Sequence, residues 1–142
     1  MDSKGLLVRQ LMENIVRFNR MHWNKSPILG LTHSELVVLH FIKDYENHNS
    51  SGIKVSKLSQ LLKVTSPTVT QLIKSLEKKG LVQRNTAKTD RRVVLITLTK
   101  EGEKINQTAR EDFTDFFTGL VDYLGVEESN KLNELLTKVC NY

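Results

Sequence analysis

Apolar residues return at helical spacing between Ser66 and Lys78. Val69, Leu72, Ile73 and Leu76 stand at i, i+3, i+4 and i+7, which predicts a helix with one buried stripe. Ser66 followed by Pro67 predicts its start, because Ser caps the free amides of a first turn and Pro fills a position whose missing N–H costs nothing. Gly80 predicts a left-handed stop. A shorter apolar set, Leu58, Leu61 and Leu62, precedes this helix, with Ser56 as the expected cap and Lys63-Val64-Thr65 as a tight connection. Two helices so joined have helix-turn-helix spacing, with Val64 where a Gly is often found. After Gly80 the period drops from 3.6 to 2. Leu81 to Arg84 and Val93 to Leu98 read as strands joined by a polar hairpin tip, with Val94, Ile96 and Leu98 on one face. Ile53 to Val55 is expected to add a short third strand. A helix-turn-helix followed by a hairpin predicts a winged helix.

The flanks are helical by the same test. Residues 6 to 23 predict a first helix, with Leu7, Leu11, Ile15, Phe18 and His22 near one face and Leu6, Val8 and Met12 widening it. Lys25-Ser26-Pro27 ends it, since a residue before Pro avoids the helical region. Thr32-His33-Ser34-Glu35 spells a capping box that opens a second helix, expected to finish near Tyr45. Asn47 to Gly52 is a loop by composition. Thr99 caps the helix after the hairpin, which carries Phe113, Phe116, Phe117, Leu120, Val121 and Leu124 until Gly125 breaks it. A last helix, Glu127 to Cys140, carries Leu132, Leu135, Leu136 and Val139. The fold class is mainly α with a small β-wing. Broad terminal stripes suit either an intrachain core or a seam between two copies, and a helix-turn-helix monomer sees too few base pairs to bind usefully alone.

Charge sharpens this picture. The 142 residues suffice for one modest core and leave little room for a separate catalytic module. Net charge is +5, but it is uneven: Lys54 to Lys104 holds 12 Lys/Arg against 4 Asp/Glu, while the remainder holds 9 against 12. Positive charge therefore concentrates on the helix pair and hairpin. A basic block also suits an anionic membrane or an acidic protein, yet neither accounts for a helix pair plus wing. The single Cys140 makes no intrachain disulfide and fits a reducing interior. With no secretory pattern and no apolar run near the ~20 residues a bilayer requires, a cytoplasmic protein without membrane association is expected.

Candidate chemistry follows from the face opposite the buried stripe. Ser66, Thr68, Thr70 and Gln71 can reach base edges or nearby phosphates in a major groove, and Lys74 and Lys78 can meet phosphates, with Ser75 on the same face. At the hairpin tip, Arg92 can enter a narrow, negative minor groove with Asp90 orienting its guanidinium, while Lys88 and Arg91 neutralise backbone charge. Each set has a plainer reading, a solvated helix face and a soluble turn. Their succession along the chain favours double-stranded DNA. His22, His33, His40 and His48 form no His-x-x-x-His pair, so neither a metal nor another cofactor is expected. His22, Trp23, His33 and His40 are instead candidates for lining an effector crevice. No phosphate loop, nucleophile elbow or His-Glu-x-x-His is present, which argues against an enzyme. The remaining alternative is a winged helix that binds protein without DNA, in which Arg92 would have no need to be basic.

Ser-Pro-Thr-Val-Thr-Gln-Leu-Ile-Lys-Ser-Leu-Glu-Lys-Lys-Gly-Leu-Val-Gln-Arg, then Asp-Arg-Arg, then Leu-Thr-Lys-Glu-Gly, resembles the MarR family of bacterial transcriptional regulators. The resemblance covers nearly the whole chain. It implies a homodimeric winged-helix DNA-binding protein, usually a repressor, whose hold on a pseudo-palindromic operator is relieved by a small ligand. It assigns Ser66 through Lys78 as the recognition helix and Asp90 with Arg92 as the wing pair. It further implies a DNA-binding lobe over residues 32–99 and a dimerisation lobe from residues 1–31 and 100–142. Relatives that sense oxidants carry a Cys near the N-terminal helix, where this chain has none.

Overall fold

The computed structural model describes residues 2–21, 30–49 and 51–142. Among them the order is α1 (Ser3–Asn19), α2 (His33–His48), α3 (Val55–Leu62), α4 (Ser66–Lys78), β1 (Val82–Thr86), β2 (Val94–Leu98), α5 (Lys100–Leu124) and α6 (Val126–Cys140). The chain divides into two compact units, Met1–Gln107 and Thr108–Tyr142.

In the first unit the buried side chains of α2, α3, α4 and the hairpin form one core, centred on Leu39, Ile42, Leu58, Ile73, Leu76 and Ile96. α2 begins at the expected capping box: the Thr32 hydroxyl accepts from Glu35 N–H at 3.2 Å, and the Glu35 carboxylate accepts from Thr32 N–H at 3.1 Å. It runs on past Tyr45 to His48. Its last turn is held by side chains, with Asn49 Nδ2 donating to the Tyr45 carbonyl at 3.1 Å and His48 Nδ1 2.9 Å from the Asp44 carbonyl. α1 starts earlier than its apolar stripe indicates, because Asp2 Oδ1 accepts from Gly5 N–H at 2.7 Å and caps it. None of its residues is buried.

The helix-turn-helix differs in detail from the expected one. α3 starts at Val55 with Lys54 at the N-cap and no side-chain cap, so Ser56 lies inside the first turn and does not cap. The connection places Lys63, not Val64, in the left-handed region at φ 57. A Gly is therefore dispensable at Val64, and the left-handed cost falls on an exposed Lys. The cap of α4 is Thr65, one residue before the expected Ser66, with its hydroxyl accepting from Thr68 N–H at 3.4 Å. At the other end Gly80, φ +76, donates to the Glu77 carbonyl, and Leu81 N–H to the Leu76 carbonyl, both at 3.0 Å. That is the paired helix stop that Gly80 predicts, and it turns the chain straight into β1.

β1 and β2 pair antiparallel with Val82 opposite Leu98 and Thr86 opposite Val94. The expected third strand is reduced to one bridge, Ile53 to Ile96, because Val55 is already helical. On the other side of that bridge, two residues along β2, Glu46 Oε1 accepts the Leu98 N–H at 2.9 Å. Thr99 caps α5 as expected, its hydroxyl accepting from Gly102 N–H at 3.0 Å and donating to the Gly80 carbonyl at 2.7 Å. Lys43 on α2 pairs with Glu103 of α5 at 3.1 Å.

The second unit is a helical hairpin. Gly125, φ 83, turns the end of α5 into α6, and Leu120, Leu124, Leu132 and Leu136 line the groove between the two helices. Phe116 and Phe117 meet edge to face with centroids 5.2 Å apart. No residue of α6 is buried, and Leu135, Leu136 and Val139 are exposed. Among the described residues no helix is long and apolar enough to cross a membrane.

Candidate nucleic-acid interface

α4 buries Val69, Ile73 and Leu76 and turns Ser66, Thr68, Gln71, Lys74 and Lys78 outward, all exposed; Thr70 is half-buried on the flank. By helical rotation the centre of the outer face is Gln71, Lys74 and Lys78. The Thr68 hydroxyl is 2.8 Å from that of Thr65, so it belongs to the cap as well as to the surface. Ser75 does not share this face. It is half-buried and donates to Glu35 Oε2 at 3.0 Å, which removes it from the expected reading surface.

The wing tip is organised by Asp90. Its carbonyl accepts from Val93 N–H at 3.1 Å, closing a turn, and its Oδ1 accepts from Arg92 N–H at 3.0 Å. The same carboxylate takes the Arg92 guanidinium side-on, Nε to Oδ1 at 3.2 Å and a terminal nitrogen to Oδ2 at 3.3 Å. These bonds, with the Lys54 ammonium further off, hold the Asp90 carboxyl below its ordinary range, so it stays ionised. Arg92 is nevertheless 92% exposed. Lys88 and Arg91 are exposed beside it. A guanidinium oriented by a carboxylate yet almost wholly in solvent lacks a packing role in the folded chain.

Arg84 Nε on β1 meets Glu77 Oε1 on α4 at 3.2 Å, tying the wing to the outward-facing helix. The basic surface also extends beyond the residues singled out from sequence. Lys54 and Lys57 border a hollow with Ser51, Ser56, Gln60, Tyr45 and Leu95 at the uncapped start of α3. Both lysines lie in the basic block that begins at Lys54, and that block is the signal that marks them in the sequence.

His33 is half-buried and His40 exposed, seven residues apart on one side of α2, with His40 edge to face on Phe41 at 5.5 Å. His22 and Trp23 lie outside the described residues. No group of three or more His, Cys, Asp or Glu among the described residues is placed to hold a metal.

A capped outer helix, a short basic hairpin and an arginine held at its tip define a winged-helix DNA-binding protein. The model of the MarR family matches residues 31–94. The chain is 34% identical over 115 residues to the HTH-type transcriptional regulator SarZ of Staphylococcus haemolyticus, covering 78% of this chain and 71% of that one. It is 31% identical over 108 residues to the uncharacterized HTH-type transcriptional regulator YhbI of Bacillus subtilis, covering 74% and 70%. Among solved structures, a mutant MarR from E. coli complexed with operator DNA superposes with a TM-score of 0.75 at 24% identity, over 98% of this chain and 99% of that one. The chain belongs to the MarR family. It is a transcriptional regulator and not an enzyme.

Proposed function

We propose that this protein is a cytoplasmic homodimeric repressor that binds a pseudo-palindromic operator and is released by a small ligand. Residues 32–99 form its DNA-binding lobe, and residues 1–31 with 100–142 its dimerisation lobe. Each protomer lays α4 in a major groove, Ser66, Thr68, Thr70 and Gln71 meeting bases or phosphates and Lys74 and Lys78 the backbone. Lys88 and Arg91 meet phosphates of the flanking minor groove while Arg92, held by Asp90, enters it. The observation that carries this reading is Arg92 itself: ion-paired for orientation, exposed for contact. Exposed Leu7, Leu11 and Ile15 on α1, and Leu135 and Val139 on α6, support dimerisation through the terminal helices. Small-ligand relief rests on the family, and His33 and His40 on one side of α2, with His22 and Trp23 ahead of it, are the inferred crevice.

Selection of bound duplexes from a random pool tests the reading. The expected result is a two-part motif with half-sites about one turn, ~34 Å, apart. Gln71→Ala should return a motif altered within each half-site. A pool without enrichment, from a protein that sediments as a monomer, overturns it.

A further inference from the structure

Among the charged side chains of α2 and α4, Glu35 is the one withdrawn from solvent. Its side chain is 4% exposed against 38% for its partner Lys79. Both carboxylate oxygens are in use: Oε1 accepts from Thr32 N–H at 3.1 Å, Oε2 from the Ser75 hydroxyl at 3.0 Å, and the Lys79 ammonium reaches both at 2.9 Å. Lys79 Nζ also donates to the Gly30 carbonyl at 3.3 Å. One carboxylate therefore joins the cap of α2 to the last turn of α4 and to the residue that ends it.

Such a grip does something that the apolar stripe of α4 cannot. Contacts of Val69, Ile73 and Leu76 are non-directional and tolerate a small roll of the helix about its axis. The hydrogen bond from Ser75, on a one-carbon tether, does not, and Lys79 four positions on adds a second, longer tie to the same carboxylate. Surface atoms sit ~6 Å from a helix axis, so a roll of about 10° moves them by about 1 Å, enough to break a base contact. Withdrawing one member of an ion pair from water contributes little net stability compared with an apolar substitute, and geometric definition is an attested use of such a pair.

We propose that Glu35 is a positioning residue for base reading: through Ser75 and Lys79 it fixes the rotation of α4 and hence where Gln71 and Lys74 point. Lys79 accordingly serves Glu35 and not a phosphate. The inference rests on the DNA-binding function proposed above and names no DNA contact of its own.

The test uses the full chain with Glu35→Gln, Ser75→Ala and Lys79→Met, at a temperature where circular dichroism shows each folded. Affinity is measured for the selected operator and for a scrambled duplex. Glu35→Gln keeps the capping acceptor and removes a unit of negative charge, so scrambled-duplex affinity should hold or rise. Operator affinity should fall about tenfold, the worth of one misplaced base contact. Ser75→Ala should shift the ratio in the same direction, and Glu35→Gln with Lys79→Met should cost no more than either alone. Lys79→Met should leave the salt dependence of binding unchanged. A specificity ratio in Glu35→Gln equal to wild type overturns the role of Glu35 and leaves DNA binding standing. A wild-type protein with no preferred duplex overturns both.

Discussion

Gly102, in the first turn of α5, lies so close to Leu81 that a Cβ built on it would overlap the Leu81 carbonyl oxygen. The same carbonyl accepts the Thr99 N–H at 3.0 Å, so it has little freedom to withdraw. Gly102→Ala should therefore destabilise the first unit by about 1–3 kcal/mol, the usual cost of forced overlap in a packed interior. Thermal melts followed by circular dichroism check this, and an unchanged midpoint would show that the corner can yield.

Arg92→Ala should leave the melting midpoint unchanged, because the side chain is almost wholly exposed, and weaken operator binding by about tenfold or more, the loss of a charge-assisted contact. Asp90→Ala keeps the guanidinium but releases it and removes one turn bond, that from the Arg92 N–H, so a smaller loss is expected. Gel-shift titration of both variants measures the difference. Equal affinity for wild type and Arg92→Ala would remove the wing from the interface.

Lys74 and Lys78 are exposed on α4, and neither has a carboxylate partner among the described ion pairs. If each neutralises one phosphate, Lys74→Met or Lys78→Met should lower the slope of log affinity against log salt by about 0.9. Titrations at several salt concentrations read that slope directly.

Glu35 gives stability a pH dependence. Burial alone raises its carboxyl, but the Lys79, Thr32 and Ser75 bonds together outweigh burial and bring it below the ordinary value of 4.5. A folded-state pKa below the unfolded one stabilises fully above the unfolded value and loses that contribution as pH falls through the folded one. Chemical denaturation should thus show stability level from neutrality to about pH 5 and falling below 4.5, with Glu35→Gln flatter across that interval. A variant as steep as wild type would assign the acid sensitivity to other carboxylates.

The helix pair, the wing and the terminal helices were legible because each rests on periodicity and local capping, which neighbouring residues alone decide. Asp90 with Arg92 was legible for the same reason, being two residues apart in one turn. The errors cluster where the deciding partner is distant. Ser75 looks outward by composition, and only the fold brings Glu35, forty positions away, to its hydroxyl. The third strand reads well from Ile53 to Val55, but α3 claims Val55 first. The cap at Thr65 shows a further limit, since adjacent hydroxyls leave the start of a helix open by a residue. α3 follows Lys54 with no side-chain cap at all and so passes over the lone hydroxyl of Ser56.

Glu46 has a consequence for the life of the protein outside its complex. A two-stranded hairpin with a single bridging residue leaves amides along its outer border, and such a border invites strands from other molecules to add on. By taking the Leu98 N–H, a carboxylate from α2 occupies that vacant place and sets negative charge where an incoming chain would have to lie. Removing it would expose the border to self-assembly into aggregates while leaving every side chain proposed to face DNA untouched.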